Sequence, residues 1–402
     1  MKKIYVFASM MLAVALNYSC AKMDSPAFPS QDTPTEEAEG TKYLINVGGE
    51  THEVMLIGTF NAEKGANVDF YLEGDANDYY GIEIDGAMTA TGTGEKVFAD
   101  GKTTTGIIKV YGNKGLTYLK VTNAYPTETT FKNEWMATLE TLWFSYPYSK
   151  TIVLPETMTK LKKLYIDNSE ISTIDVSKFT TLEELSITSC KNFASIDVTN
   201  NKNLTDLRLV GDRQLKSKLK SIDVSKNTKL KTLFVNDNEI EKLDVTALTE
   251  LTQLRANNNK LTEIDITKNT KLKEELSLDN NKFTIATLPT MPAGIEQYNY
   301  APQAPMEVAK SFKVGETIDL TAQLYAQGVL KNQATTEFKF FDAKGQLENG
   351  VDYEKTEDAG LVYKFLKAHD KVVCKMTTEA FPAFNNDPFK TTEFKIEAAA
   401  AE

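Results

Sequence analysis

Apolar residues recur through the middle of the chain in one figure: two leucines three residues apart, then an apolar residue two places on. The figure stands at Leu116-Leu119-Val121, Leu139-Leu142-Phe144, Leu161-Leu164-Ile166 and Leu182-Leu185-Ile187. It continues at Leu204-Leu207-Leu209, Leu230-Leu233-Val235 and Leu251-Leu254-Ala256, and a copy one residue longer runs from Leu272 to Leu276-Leu278. The starting leucines are 23, 22, 21, 22, 26, 21 and 21 residues apart. One period near this length, kept over eight copies, is the mark of a solenoid. The last two apolar residues of each figure alternate, which predicts a short strand with one inward face. Such strands are expected to stack in parallel and bury a continuous core. The ninth position of the last six units holds Ser169, Cys190, Asp212, Asn238, Asn259 and Asn281. Its side chain is expected to satisfy backbone groups at the turn after the strand, which gives Cys190 a structural role. The 26-residue unit from Leu204, containing GDRQLKSKLK, is expected to bulge out as a loop.

The second half of each unit carries another recurrent phrase: Ile174-Asp175-Val176-Ser177, Ile196-Asp197-Val198-Thr199, Ile222-Asp223-Val224-Ser225, Leu243-Asp244-Val245-Thr246 and Ile264-Asp265-Ile266-Thr267. Its apolar residues point inward, while Asp and Ser/Thr can bond nearby backbone N–H groups and hold a turn on the convex side. A calcium ladder would need more than one acid per coil, so turn capping is the expected role.

The flanks have the shorter rhythm of strands. Residues 42–115 show Tyr43–Val47, Val68–Leu72 and Ile107–Tyr111 between Gly and Asn/Asp turns, and are expected to form a β-rich cap over the open end of the solenoid at 116–298. The run Glu73–Asp78 fails the spacing of a calcium loop and is expected to be an acidic turn. Residues 299–310, with two prolines, read as an extended linker. In 311–397, Phe338–Phe340, Leu361–Phe365 and Val372–Met376 alternate in the manner of a small antiparallel sandwich, with Cys374 facing inward.

At the start, Lys2 and Lys3 precede an apolar run from Ile4 to Leu16. That run is too short to span a bilayer and suits a signal peptide over 1–20. Ser19-Cys20 resembles the end of a bacterial lipobox, in which Cys20 becomes the lipidated first residue. Cleavage after Ala21 is the alternative. Residues 21–41, rich in Pro, Ser, Thr and acids, read as a disordered tether.

Composition narrows the chemistry. The 402 residues carry a formal net charge of −11, which repels phosphate backbones and argues against nucleic acid as a partner. Two histidines, His52 and His369, and three cysteines without paired spacing leave little for a hydrolytic triad or a zinc site. No catalytic residue, metal ligand or cofactor is assigned, and the chain is read as a non-enzyme.

Phrases such as TKLKTLFVNDNEIEKLDVTALTELTQLRANNNKLTEIDITKNTKL resemble the leucine-rich repeats of Bacteroidetes surface lipoproteins and, more loosely, internalins, over about residues 105–300. Residues 311–397 resemble the immunoglobulin-like modules found after such repeats. The resemblance implies a mainly β fold with irregular or short helical convex segments. It further implies an exported outer-membrane or cell-surface lipoprotein, touching the membrane only through its lipid anchor; secretion or a periplasmic place is the alternative. Binding or adhesion to an extracellular protein, peptide or glycan follows on fold analogy. A structural spacer without a ligand is the alternative, and a glycan-active enzyme using paired carboxylates the third reading. If the face of the strands binds, its outward column is Lys120, Trp143, Tyr165, Ser186, Arg208, Phe234, Arg255 and Ser277. Trp, Tyr and Arg are enriched at binding hot spots, which singles out Trp143 with Tyr165, and then Arg208, Phe234 and Arg255. Aromatic residues also favour strands for their own packing.

The anchor is testable in the native host. Labelled palmitate should enter the wild-type chain, and Cys20→Ala should lose both the label and its place in the membrane fraction. Equal labelling of the two forms would end the lipoprotein reading.

Overall fold

The structure is a computed structural model and describes residues 42–125, 137–145, 150–152, 154–214, 217–326, 335–356 and 361–399. The expected signal peptide, Cys20 and the tether lie outside the described residues. The chain divides into two compact units, Met1–Ser169 and Glu170–Glu402. The architecture is mainly β, and no helix among the described residues is long and apolar enough to cross a membrane.

The first unit contains β1 (Lys42–Val47), β2 (Glu50–Ala62), β3 (Asn67–Glu73), β4 (Tyr79–Ile84), β5 (Ala87–Thr93) and β6 (Val97–Lys102). It continues with β7 (Ile107–Gly112), β8 (Tyr118–Thr122), β9 (Ala124–Tyr125), β10 (Thr141–Ser145) and β11 (Lys163–Asp167). One antiparallel sheet runs β1-β2-β7-β4-β5, with β9 added to β2. The other runs β6-β3-β8-β10-β11 and changes character at β8. On one side β8 pairs in parallel with β10, Leu119 opposite Leu142 and Val121 opposite Phe144. On the other it pairs antiparallel with β3, Leu119 opposite Leu72 and Val121 opposite Phe70. The first leucine figure is thus a repeat strand whose outer edge is already hydrogen-bonded, which removes an unpaired edge. Phe60 of β2 meets Phe70 of β3 edge to face, ring centroids 5.0 Å apart, and joins the two sheets in one core.

In the second unit the repeat supplies β12 (Glu184–Thr188), β13 (Asp206–Val210), β14 (Thr232–Phe234), β15 (Gln253–Arg255) and β16 (Glu275–Ser277), all parallel and in register. Leu185, Leu207, Leu233, Leu254 and Leu276 stand side by side, each buried. Each such side chain contributes about 1.5–3 kcal/mol by leaving water. One strand per repeat, laid parallel to the next, is the geometry of a leucine-rich-repeat solenoid. A further parallel strand, β17 (Gln297–Asn299), follows without a leucine: Tyr298 stands opposite Leu276, and its hydroxyl donates to the Pro289 carbonyl.

Two features make the turn after each strand. The residue before the ninth position adopts positive φ at Asn168, Ser189, Asp237, Asn258 and Asn280. Asn and Asp tolerate this left-handed conformation better than other non-glycine residues, which explains four of the five. The ninth residue then satisfies the turn. The Asn259 amide donates to the carbonyls of Val235, Ala256 and Asn257, and its oxygen accepts the Ile240 N–H. Asn281 repeats this one coil on, with Ala256, Leu278, Asp279 and the Leu261 N–H. Cys190 is buried there, its thiol on the Thr188 carbonyl.

The long unit departs from the expected alignment. Asp212 is not its ninth-position residue: it is partly exposed and accepts the Gln214 N–H. Ser217 takes the place, buried, with its hydroxyl on the Cys190 carbonyl. The extra residues lie before the turn residue rather than after it. Counting from the leucine therefore picks the wrong position. Gly211 marks the entry, because a Cβ there would fall 1.6 Å from the Asp237 carbonyl oxygen.

On the opposite side of each coil the aspartates cap turns. Asp175, Asp197, Asp223, Asp244 and Asp265 each accept the backbone N–H two residues on, at 2.9 Å. Hydrogen bonds from the Ser or Thr at that position hold each carboxyl below the usual carboxylate range. A second, buried asparagine set was not foreseen. Asn201, Asn227 and Asn269 donate backwards to carbonyls of the preceding coil, such as Val176, Val198 and Val245.

Beyond β17 the chain forms β18 (Ser311–Lys313), β19 (Thr317–Asp319), β20 (Thr336–Asp342), β21 (Gly345–Gln346), β22 (Tyr353–Thr356) and β23 (Val362–Phe365). It ends with β24 (His369–Thr378), β25 (Phe389–Lys390) and β26 (Phe394–Glu397). The order β18-β26-β24-β20-β21, with β25 added to β24, makes one sheet, and β19-β23-β22 the other. Phe340 of the first meets Tyr353, Tyr363 and Phe365 of the second at 5.0–5.3 Å. Cys374 is buried in this unit, and burial pushes its thiol up. The segment expected as a linker is tied down. Tyr300 packs on Phe381 and Phe384, and Gln303 donates to the Leu278 carbonyl while accepting the Asn281 N–H.

Leu254→Ala should cost about 2–5 kcal/mol in urea unfolding, through lost burial and a cavity. Asn259→Ala should cost about 1–3 kcal/mol by stranding buried backbone groups. A near-zero change in both would refute this register.

Candidate functional site

Alternation sends every second strand residue outward, so the in-register pairing makes rows across the sheet. In the first unit the central row is Phe98, Tyr71, Lys120, Trp143 and Tyr165, residue opposite residue on β6, β3, β8, β10 and β11. The sequence column begins at Lys120. Tyr71 and Phe98 extend it, because the antiparallel strands of the first domain continue the repeat sheet. No repeat marks them, and only the alternation in 67–73 and 97–102 hinted at their facing.

Trp143 and Tyr165 are both partly buried and come together, ring centroids 5.5 Å apart at 47°. The Trp143 indole N–H donates to Asp167 Oδ2 at 2.6 Å, and Lys120 Nζ lies 4.4 Å from the Trp143 ring centroid. The indole is thus held at one edge and covered on one side by a cation. Tyr71 meets Tyr118 edge to face at 5.3 Å and donates its hydroxyl to Glu73 Oε1 at 2.6 Å, a bond that pushes the phenol up to about 12.

In the second unit the row is Ser186, Arg208, Phe234, Arg255 and Ser277. Arg208 lies 4.7 Å and Arg255 4.3 Å from the Phe234 ring centroid, so the ring carries two guanidiniums. Arg208 makes a two-pronged contact with Asp206, both bonds 2.8 Å. Arg255 grips Glu275 through Nε and Nη2. Glu275 is buried, and Ser277 donates to it as well, so its charge is fully paired. Phe234 is only 4% exposed. It does not offer the open ring expected of a second aromatic hot spot; it serves as a support that orients two arginines. Ser186 and Ser277 are also buried. Half-buried Asp279 sits near Glu275 and Asp237, and burial raises its carboxyl.

The other candidates fall away from this face. His52 stacks on Tyr79 at 3.6 Å, and His369 sits between Asp342 and Asp352. In the Glu73–Asp78 run, Asp75 accepts the Asn77 N–H and Asp78 pairs with Lys114 at 3.2 Å, the contacts of a turn.

No protein-family profile matches the sequence, and no curated protein matches it. Among solved structures the chain is similar to internalin C2 of Listeria monocytogenes at 18% identity, over 47% of this chain and 81% of that one, with a TM-score of 0.33. An internalin, InlF, of the same organism matches at 18% identity over 48% and 69%, with a TM-score of 0.29. The functional domain of InlJ from Listeria monocytogenes, which includes a cysteine ladder, matches at 16% identity over 70% and 91%, with a TM-score of 0.26.

The supporting role of Phe234 has a measurable consequence. Phe234→Ala should lower unfolding stability by about 3–5 kcal/mol, as for a buried ring. A loss below about 0.5 kcal/mol would mark it as a surface residue after all.

Proposed function

We propose that this chain is a non-enzymatic binding or adhesion protein of the cell surface, holding an extracellular protein, peptide or glycan on the outward face of its parallel strands. The observation that carries the reading is the Trp143–Tyr165 pair, set on adjacent strands with Lys120 beside it. Large, partly desolvated rings on a rigid backbone lose little entropy when a partner docks. Export through the N-terminal signal and a lipid on Cys20 would place this face outside the cell, and the C-terminal two-sheet module is read as immunoglobulin-like. One observation favours the spacer alternative for the second patch. Arg208 and Arg255 are already paired with Asp206 and Glu275, so a ligand there must compete with the chain itself.

A glycan and host-protein screen of the purified chain should yield a ligand. Trp143→Ala combined with Tyr165→Ala should then weaken it by about tenfold or more, with the unfolding midpoint kept. Affinity surviving both that change and Arg208→Ala with Arg255→Ala would exclude the strand face.

A further inference from the structure

In the second unit the strand face repeats a three-part contact. An aromatic ring lies beneath a guanidinium, and a carboxylate holds that guanidinium: Phe234 under Arg208 with Asp206, and Phe234 under Arg255 with Glu275. The chain supplies all three parts itself.

In the first unit, where β6, β3 and β8 meet, two of the parts are present without the third. Phe98, Tyr71, Tyr118, Asp69, Glu73 and Lys120 line a shallow groove of about 500 Å³. Phe98 is 52% exposed, an unusual state for a phenylalanine on a sheet. Among the described residues no cation lies over Phe98, Tyr71 or Tyr118, and the Asp69 carboxylate has neither a hydrogen bond nor an ion pair. Glu73 receives the Tyr71 hydroxyl on one oxygen, which leaves the other. Lys120, the one cation in the lining, is engaged 4.4 Å from the Trp143 ring centroid on the neighbouring strand.

The charges decide what the groove lacks. Asp69 stands directly opposite Asp100 across the β3–β6 pair. Like charges at such a position destabilise a sheet. A neutral sugar could stack on the rings but would leave that repulsion in place, whereas an incoming cation would relieve it. Rings beside carboxylates select an organic cation, whose flat or apolar surface can lie on them.

We infer that this groove takes an arginine or lysine side chain from a partner protein, which completes the ring–cation–carboxylate contact that the second unit makes internally. The inference rests on reading the strand face as a binding surface and adds the chemistry of the partner.

The test uses the full chain and two labelled peptides, Gly-Arg-Gly-Arg-Gly and Gly-Gln-Gly-Gln-Gly, in fluorescence anisotropy. The arginine peptide should bind and weaken as salt rises, and the glutamine peptide should not bind. Asp69→Asn and Phe98→Ala should each weaken binding by about two- to fivefold. Asp69→Asn should do so without lowering the thermal midpoint, since it removes a repulsion. Glu263→Gln, which removes the same charge from an exposed site elsewhere, should leave binding unchanged. Equal losses from Glu263→Gln and Asp69→Asn would reduce the effect to the net charge of −11 and overturn the inference. Binding of cellohexaose that depends on Phe98, with no arginine-peptide binding, would overturn it in favour of a glycan. Loss of peptide binding in Phe98→Ala tests the cation groove, and loss of the screened ligand in Trp143→Ala with Tyr165→Ala tests the strand-face reading, so either can fail without the other.

Discussion

The amides of Asn259 and Asn281 reach back onto the carbonyls of Val235 and Ala256 in the coil before, while their oxygens take N–H groups of that same coil. Beneath them Leu254 and Leu276 pack against the leucine of the preceding strand. Each coil is therefore completed by its neighbour, both in its core and in its turn. Leaving such buried turn groups unpaired would cost about 1–3 kcal/mol, so the asparagines add to what the leucines contribute. The left-handed residue before it presents each asparagine to that neighbour, while the capped turn opposite closes within its own coil.

Dependence on neighbours leaves the ends of each run exposed to the same problem. At β8 the answer is a change of pairing. Its inner edge carries a parallel repeat strand and its outer edge an antiparallel one from the first domain. After β16 the answer is imitation. Tyr298 takes the place of a leucine, and the Gln303 amide donates to the Leu278 carbonyl as those of Asn259 and Asn281 do to Val235 and Ala256. Tyr300 then packs on Phe381 and Phe384, so the last coil is continuous with the C-terminal module.

The outward face is not held to one residue type by the leucine core. It differs between the two units. Around Phe234 the chain neutralises its own arginines with Asp206 and Glu275. Around Trp143 and in the groove by Phe98, rings and carboxylates are left partly open. The leucines are uniform because they serve the fold. The face is irregular, with an aromatic pair in one unit and a row of paired arginines in the other.

The leucine period, the inward and outward alternation and the capping role of the five aspartates were legible in the sequence, because each depends on residues close along the chain. Local spacing also placed Trp143 beside Tyr165 in register. It misplaced Asp212, since an insertion ahead of the turn shifts the count and only the contact between Ser217 and Cys190 reveals where the coil resumes. It grouped Phe234 with Arg208 and Arg255 but did not show its burial, because a column order does not say that both guanidiniums will lie over one ring. Tyr71 and Phe98 went unseen for the same reason: β3 and β6 join the repeat sheet through pairings that span many residues and carry no periodic signal. Spacing along the chain was enough to identify the leucines and aspartates of the coil. Which side chains stay exposed followed from the fold, because exposure depends on what distant strands place beside each residue.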